Sequence, residues 1–216
     1  TAAAHRRQLF ELRLRVIAYL RPPQDHLQSW YNQLVKMGVP VGPFDTAVRC
    51  QMEPIHWDYG AALAPWITLA GADNVILRGF HPALRRDDAL FADFLEALGA
   101  RLPVTADSPL SDPNPRLDDR LLPLKRAYDQ AALPQKLTAH LLLRAQALLG
   151  QDRNPAELDG APDSDTLRET ARAGITALAA LPQARLDAGA LLAHLPQATP
   201  PEARALSDAV SVLAGE

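Results

Sequence analysis

The stretch RLRVIAYLRPPQDHLQSWYNQ, from Arg13 to Gln33, decides how the first part of the chain folds. A β-branched and apolar run ends at Leu20, Arg21 follows it, and Pro22-Pro23 mark a turn. Beyond the turn, apolar and aromatic side chains recur at helical spacing. The pattern predicts a strand, a tight turn and a helix, with Arg21 at the carboxyl end of the strand and Ser29 in the first turns of the helix.

Arg21 and Ser29 are candidate phosphate ligands. In open α/β sheets, ligands bind beyond the carboxyl ends of the strands. A guanidinium and a hydroxyl near a helix N-terminus suit a phosphate dianion. The alternative is structural: Arg21 pairs with Asp25 on the surface, and Ser29 is a small residue tolerated inside a helix.

Two segments resemble a known family. The order of strand, Arg21, proline turn and helix, with Ser29 eight positions after the arginine, resembles the 3′-phosphate-binding segment of PAPS-dependent sulfotransferases. The S-W-Y-N-Q run is closest to bacterial sulfotransferase-like proteins linked to surface polysaccharides. The segment from Asp58 to Gly99 is similar to the family's later helix, its strand ending in an arginine (Arg78 here) and the helix after that strand. The resemblance covers roughly residues 13 to 100.

The resemblance implies the P-loop sulfotransferase fold, PAPS as co-substrate, and Arg21 and Ser29 as the residues that hold its 3′-phosphate. It also implies sulfuryl transfer to a hydroxyl, on a carbohydrate or another surface-directed metabolite. The family's phosphosulfate loop with its lysine and the catalytic base are not visible, and no G-x-x-x-x-G-K-[ST] loop occurs. We therefore expect a C-terminal part of such a protein that binds the nucleotide but does not catalyse transfer alone. The catalytic residues stay unassigned.

Composition disfavours several other classes of function. The formal net charge of -3 argues against nucleic acid or an anionic membrane surface as the main partner. The single Cys50 excludes an internal disulfide and suits a reducing compartment, so we expect a cytoplasmic protein. No apolar run approaches the ~20 residues of a membrane span. The six histidines are scattered without metal-ligand spacing, so no metal site is predicted, and the oligomeric state stays open.

The predicted fold class is α/β and helix-rich, with a partial sulfotransferase-like parallel sheet followed by an all-helical C-terminal region. The predicted organisation is an α/β part at 1–102 with the phosphate-binding segment, a linker or loop at 103–115, and a helical region at 116–216. Only two segments are clear strands, at 14–20 and 74–78. The predicted helices lie at 25–37, 44–52, 58–70, 87–98, 116–132, 135–150, 164–181, 185–195 and 200–214.

A second function is compatible with the same pattern. A degenerate sulfotransferase-like fold that has lost catalysis would be a mainly helical module that binds a partner through its C-terminal half.

Overall fold

The computed structural model describes residues 14–86, 88–100, 115–149, 165–193 and 195. Within these ranges it is a helix-rich α/β protein with a small parallel sheet, which confirms the predicted class at that level. Its elements are, in chain order, β1 (Val16–Leu20), α1 (Pro23–Lys36), α2 (Phe44–Cys50), α3 (Tyr59–Ala70), β2 (Val75–Gly79), α4 (Ala89–Leu98), α5 (Leu122–Gln130), α6 (Gln135–Leu149), α7 (Asp165–Ala179), β3 (Ala184–Arg185) and α8 (Ala188–Ala193). Short 3₁₀ turns occupy Pro54–His56, Ala72–Asn74, Pro82–Arg85 and Asp119–Leu121.

The sheet has the order β1-β2-β3 with parallel pairing throughout. Val16 lies opposite Val75, and the register continues to Leu20 opposite Gly79. The two predicted strands therefore pair directly, and each begins one or two residues later than expected. The long helical connection between them supplies the crossover that parallel pairing requires.

The expectation of two strands and an all-helical C-terminal region is wrong, because β3 lies inside that region and pairs with β2. The backbone N–H of Leu77 donates to the carbonyl of Gln183 at 3.3 Å, and Ala184 stands opposite Leu77 in the register. A strand of two residues is too short to show the alternation from which strands are recognised. Strand β3 forms only because it pairs with β2 in the folded chain.

Helix ends follow local capping chemistry. The Asp58 carboxylate accepts the N–H of Ala61 at 2.9 Å, so α3 begins at Tyr59 as the sequence indicated. The helix predicted at 116–132 starts later. Asp118 accepts the N–H of Arg120 and a 3₁₀ turn precedes α5, with Pro123 in its first turn. The predicted helix at 200–214 and nearly all of the linker at 103–115 lie outside the described residues.

The chain divides into two compact units. Among the described residues, the first unit comprises 14–23, 57–86, 88–100 and 169–193, and the second comprises 24–56, 115–149, 165–168 and 195. The predicted boundary at 103–115 stays a prediction, but 169–193, which the sequence assigned to the helical region, groups with the sheet.

In the first unit, one face of the sheet packs on helices. The buried core consists of Leu20, Tyr59, Leu63, Val75, Leu77, Ile175, Leu178 and Leu191, contributed by β1, α3, β2, α7 and α8. Burying each large apolar side chain stabilises the fold by about 1.5–3 kcal/mol. Helices α3 and α7 come close together at a glycine pair, because a Cβ on Gly174 would lie 2.8 Å from the backbone N of Gly60.

The second unit is joined by polar contacts as well as apolar ones. The buried Asn32 on α1 donates to the carbonyl of Leu117 at 2.7 Å and to Asp119 at 3.0 Å, and it accepts the N–H of Leu117 at 3.2 Å. Arg126 on α5 donates to the carbonyl of Val41 at 2.9 Å. The contacts with Leu117 and Val41 satisfy backbone groups outside regular structure, so α1 and α5 are held in a defined arrangement.

Candidate functional site

Arg21 is the first residue after β1, in the first unit, and its backbone is held on two sides. The hydroxyl of Tyr59 donates to the Arg21 carbonyl at 2.9 Å. The N–H of Phe80 donates to the Leu20 carbonyl at 2.7 Å. Tyr59 is itself buried in the core. The carboxyl end of β1 is therefore fixed, and Arg21 emerges from it as the sequence predicted.

The Arg21 side chain lies against an aromatic ring at the same edge of the sheet. Its Cζ is 4.7 Å from the centroid of the Phe80 ring, and Phe80 directly follows β2. Arg85 approaches the same ring, with its Cζ 5.5 Å from the centroid. Both distances are within the range of a cation–π contact. Two guanidinium groups are thus gathered beside one ring at the carboxyl edge of the sheet.

Ser29 lies on α1 in the second unit, where it is partly buried. Arg21 belongs to the first unit, so their joint role as phosphate ligands stays a prediction. The residues that follow Ser29 have structural roles: Tyr31 is buried and donates to the carbonyl of Gly42 at 3.0 Å, and Asn32 bonds to the segment before α5.

Arg78 on β2 belongs to a different environment, on the sheet face that α4 covers. Its Nε is 3.5 Å from a carboxylate oxygen of Asp93, and an Nη is 4.0 Å from Glu96. The Tyr19 hydroxyl donates to Asp93 at 2.5 Å. Burial and the Asp93 hydrogen bond raise the pKa of Tyr19 to about 12, so this hydroxyl remains a donor at neutral pH. The structure thus gives Arg78 ion-pair partners on α4.

Sequence reasoning missed a stack of three rings in the second unit. Nε2 of His26 and Nδ1 of His56 are 3.1 Å apart, which is a hydrogen bond in one tautomer. The His56 ring stacks on His26 at 5.3 Å and on Trp30 at 4.7 Å between centroids. The two histidines are 30 residues apart, so no local pattern links them. The only signal in the sequence was that His26 and Trp30 share one face of a helix.

Burial lowers the pKa of His56, and the nearby Glu53 carboxylate opposes that shift. A neutral imidazole at neutral pH can accept a proton, so His56 has the chemistry of a general base. Metal binding lacks support in the described ranges, where no group of three or more His, Cys, Asp or Glu side chains could hold an ion. No helix among the described residues is long and apolar enough to cross a membrane.

No protein-family model, curated protein or solved structure matches the chain. The geometry of Arg21, Phe80 and Arg85 is therefore the basis on which a function is proposed.

Proposed function

We propose that the chain binds the 3′-phosphate of an adenosine nucleotide, PAPS or its product, at the carboxyl edge of the sheet around Arg21. The protein to which this site belongs would be a sulfotransferase-like enzyme acting on a hydroxyl of a carbohydrate or another surface-directed metabolite. The observation that carries the proposal is the position of Arg21 at the end of a parallel strand, with its guanidinium and that of Arg85 on one ring.

Phosphate recognition is supported by how Arg21 is held. A guanidinium presents donors in a planar fork that matches phosphate oxygens two at a time. Stacking on Phe80 restricts the side chain before the ligand arrives, and the Tyr59 hydrogen bond restricts the backbone. Less conformational entropy is then lost on binding. Arg85 is exposed and adds a second cation for a dianionic group.

The proposed chemistry is a simple displacement at sulfur. A bond forms between the acceptor oxygen and sulfur, the bond from sulfur to the phosphate oxygen breaks, and the acceptor proton passes to a base. Such a reaction requires a base, cations that stabilise the leaving oxygen, and a clamp that fixes the nucleotide. Arg21, with Ser29 as its predicted partner, is proposed as the clamp, and the base remains unassigned.

Calorimetric titration with two nucleotides tests the proposal. Adenosine 3′,5′-bisphosphate should bind more tightly than AMP, because only the former carries a 3′-phosphate. Arg21→Ala should remove most of that difference, about 1.5–3 kcal/mol for a hydrogen bond to a charged group. Arg172→Ala is the matched control, since Arg172 is exposed on α7 of the same unit and should leave both affinities unchanged.

Equal affinities for the two nucleotides in the unmodified chain would sink the proposal, as would a preference that survives Arg21→Ala. Ser29→Ala separates the serine from the arginine. If Ser29 also contacts the 3′-phosphate, Ser29→Ala weakens binding of the bisphosphate and leaves the affinity for AMP unchanged.

A second candidate is the non-catalytic helical module that binds a partner. Helix α6 favours it, because three of its leucines are exposed: Leu137 by 43%, Leu143 by 68% and Leu148 by 88%. Exposed apolar side chains that form a contiguous patch are a common feature of interaction surfaces. The nucleotide titration discriminates between the two candidates, since the module has no reason to prefer the bisphosphate.

A further inference from the structure

A cavity of about 220 Å³ lies in the first unit, on the sheet face that α4 covers. Its polar lining comprises Arg15, Asp73, Arg78, Glu96, Gln183 and Arg185. Arg15, Asp73 and Gln183 each precede a strand, so the cavity extends toward the amino end of the parallel sheet. The Arg21 edge is at the opposite end of the same strands. The cavity is therefore separate from the proposed nucleotide site.

The buried cation in this cavity has incomplete partners. The Arg78 side chain is 8% exposed, and its Nε makes no hydrogen bond. Its ion pairs with Asp93 at 3.5 Å and Glu96 at 4.0 Å are longer than a charge-assisted hydrogen bond, which is about 2.7–2.9 Å. Buried polar groups are nearly always hydrogen-bonded, so Asp93 and Glu96 satisfy the Arg78 guanidinium only in part.

One carboxylate oxygen of Glu96 already lies close to two of the cavity's arginines. Its Oε1 accepts from Nη1 of Arg185 at 2.6 Å and is the same atom that lies 4.0 Å from Arg78. The Glu96 side chain is 60% exposed, so it can turn into solvent at little cost. Arg15 has only a long contact, 3.4 Å from Nη1 to the carbonyl of Leu98, and makes no ion pair with the described residues. Three guanidinium groups and two carboxylates, Asp73 and Glu96, thus line the cavity, and Asp93 beside it pairs with Arg78.

We propose that this cavity binds a small oxyanion, a carboxylate or phosphate group on a molecule of few atoms, which takes the place of the Glu96 carboxylate among the three arginines. Guanidinium groups recognise both kinds of oxyanion through paired N–H donors. A volume of about 220 Å³ equals that of about seven waters at ~30 Å³ each, which leaves room for the anion and a short carbon skeleton. The inference does not depend on the nucleotide site.

The test is a titration with inorganic phosphate and, separately, with acetate, at constant ionic strength maintained with sodium chloride. Backbone amide shifts of Ile76 and Gly99, which line the cavity, report binding by nuclear magnetic resonance. Saturable shifts are expected with at least one of the two anions. The anion that saturates at lower concentration identifies the source of the oxyanion.

Substitutions at two exposed residues should change the affinity for the oxyanion in opposite directions, and both leave the buried Arg78 in place. Glu96→Gln removes the internal competitor and should tighten binding by about two- to fivefold, the contribution of an exposed ion pair. Arg15→Gln should weaken it by about tenfold, the loss of a hydrogen bond to a charged group. Glu169→Gln and Arg172→Gln, on the exposed side of α7, make the same charge changes away from the cavity and should leave binding unchanged.

Absence of saturable shifts with both anions would overturn the inference. So would equal effects of Glu96→Gln and Glu169→Gln, because general charge attraction would then explain the binding. Arg21→Ala should leave oxyanion binding intact, which keeps this result distinct from that of the nucleotide titration.

Discussion

Replacing Gly174 with alanine adds a methyl group where helices α3 and α7 meet backbone to backbone. The new Cβ would lie 2.8 Å from the Gly60 N and 3.4 Å from the Gly60 Cα. The nearest atoms are backbone, so no side-chain rotation relieves the contact and one helix must move. Both helices contribute to the sheet core through Tyr59, Leu63 and Ile175, so the movement also loosens that core.

The magnitude follows from two opposing terms. Inserting a methyl group into a packed interior costs about 1–3 kcal/mol, and backbone contact places Gly174→Ala near the upper value. Alanine is a better helix former than glycine by about 1 kcal/mol. The expected net destabilisation is about 2 kcal/mol, or a fall in melting temperature of about 4–8 °C for a chain of this size.

Thermal unfolding followed by far-ultraviolet circular dichroism measures this change. Gly189→Ala on α8 is the matched control, because its Cβ would meet only a side-chain oxygen of Asp187 at 3.3 Å. The control should be neutral or slightly stabilising. If Gly174→Ala were as stable as the control, the close packing of α3 on α7 would be wrong, and with it the arrangement of the core.

Two titratable side chains, Tyr19 and His56, can be tested by substitution. Tyr19→Phe should destabilise the chain by about 1.5 kcal/mol in urea unfolding, because Asp93 loses a hydrogen-bond donor at 2.5 Å. An unchanged urea midpoint would mean that water replaces the tyrosine hydroxyl. Burial lowers the folded-state pKa of His56 from 6.5, so below about pH 6.5 the unfolded chain takes up the proton more readily and stability falls. His56→Gln should flatten that pH dependence of the free energy of unfolding, whereas the same change at the exposed His140 should preserve it. If both variants lost stability equally as the pH falls, the role of His56 would be contradicted.

Much of the first unit could be predicted from sequence because its signals are local. The apolar run before Arg21 and the one before Gly79 specified β1 and β2 to within two residues. Asp58 indicated where α3 begins, since its capping bond reaches only three residues along the chain. Strand β3 could not be predicted, because two residues carry no periodicity and only the neighbouring β2 stabilises them.

The candidate site residues also differ in whether a local sequence pattern indicates them. Arg21 was found because a strand, a turn and a helix surround it in the sequence. Arg85, 64 residues later, meets it only through the shared ring of Phe80, which no local pattern encodes. The contacts of His26 with His56, and of Arg185 with Glu96, likewise join distant segments. Long-range contacts of this kind follow from the fold and become visible only once the chain has folded.

The most direct test of the proposed nucleotide site is a crystal structure of the chain with adenosine 3′,5′-bisphosphate. The 3′-phosphate should lie at the carboxyl edge of the sheet, with an oxygen about 2.7–3.2 Å from a guanidinium nitrogen of Arg21. Arg85 should face the same phosphate across the Phe80 ring. A nucleotide bound elsewhere, or at this edge with its 3′-phosphate turned away from Arg21, would contradict the proposed function.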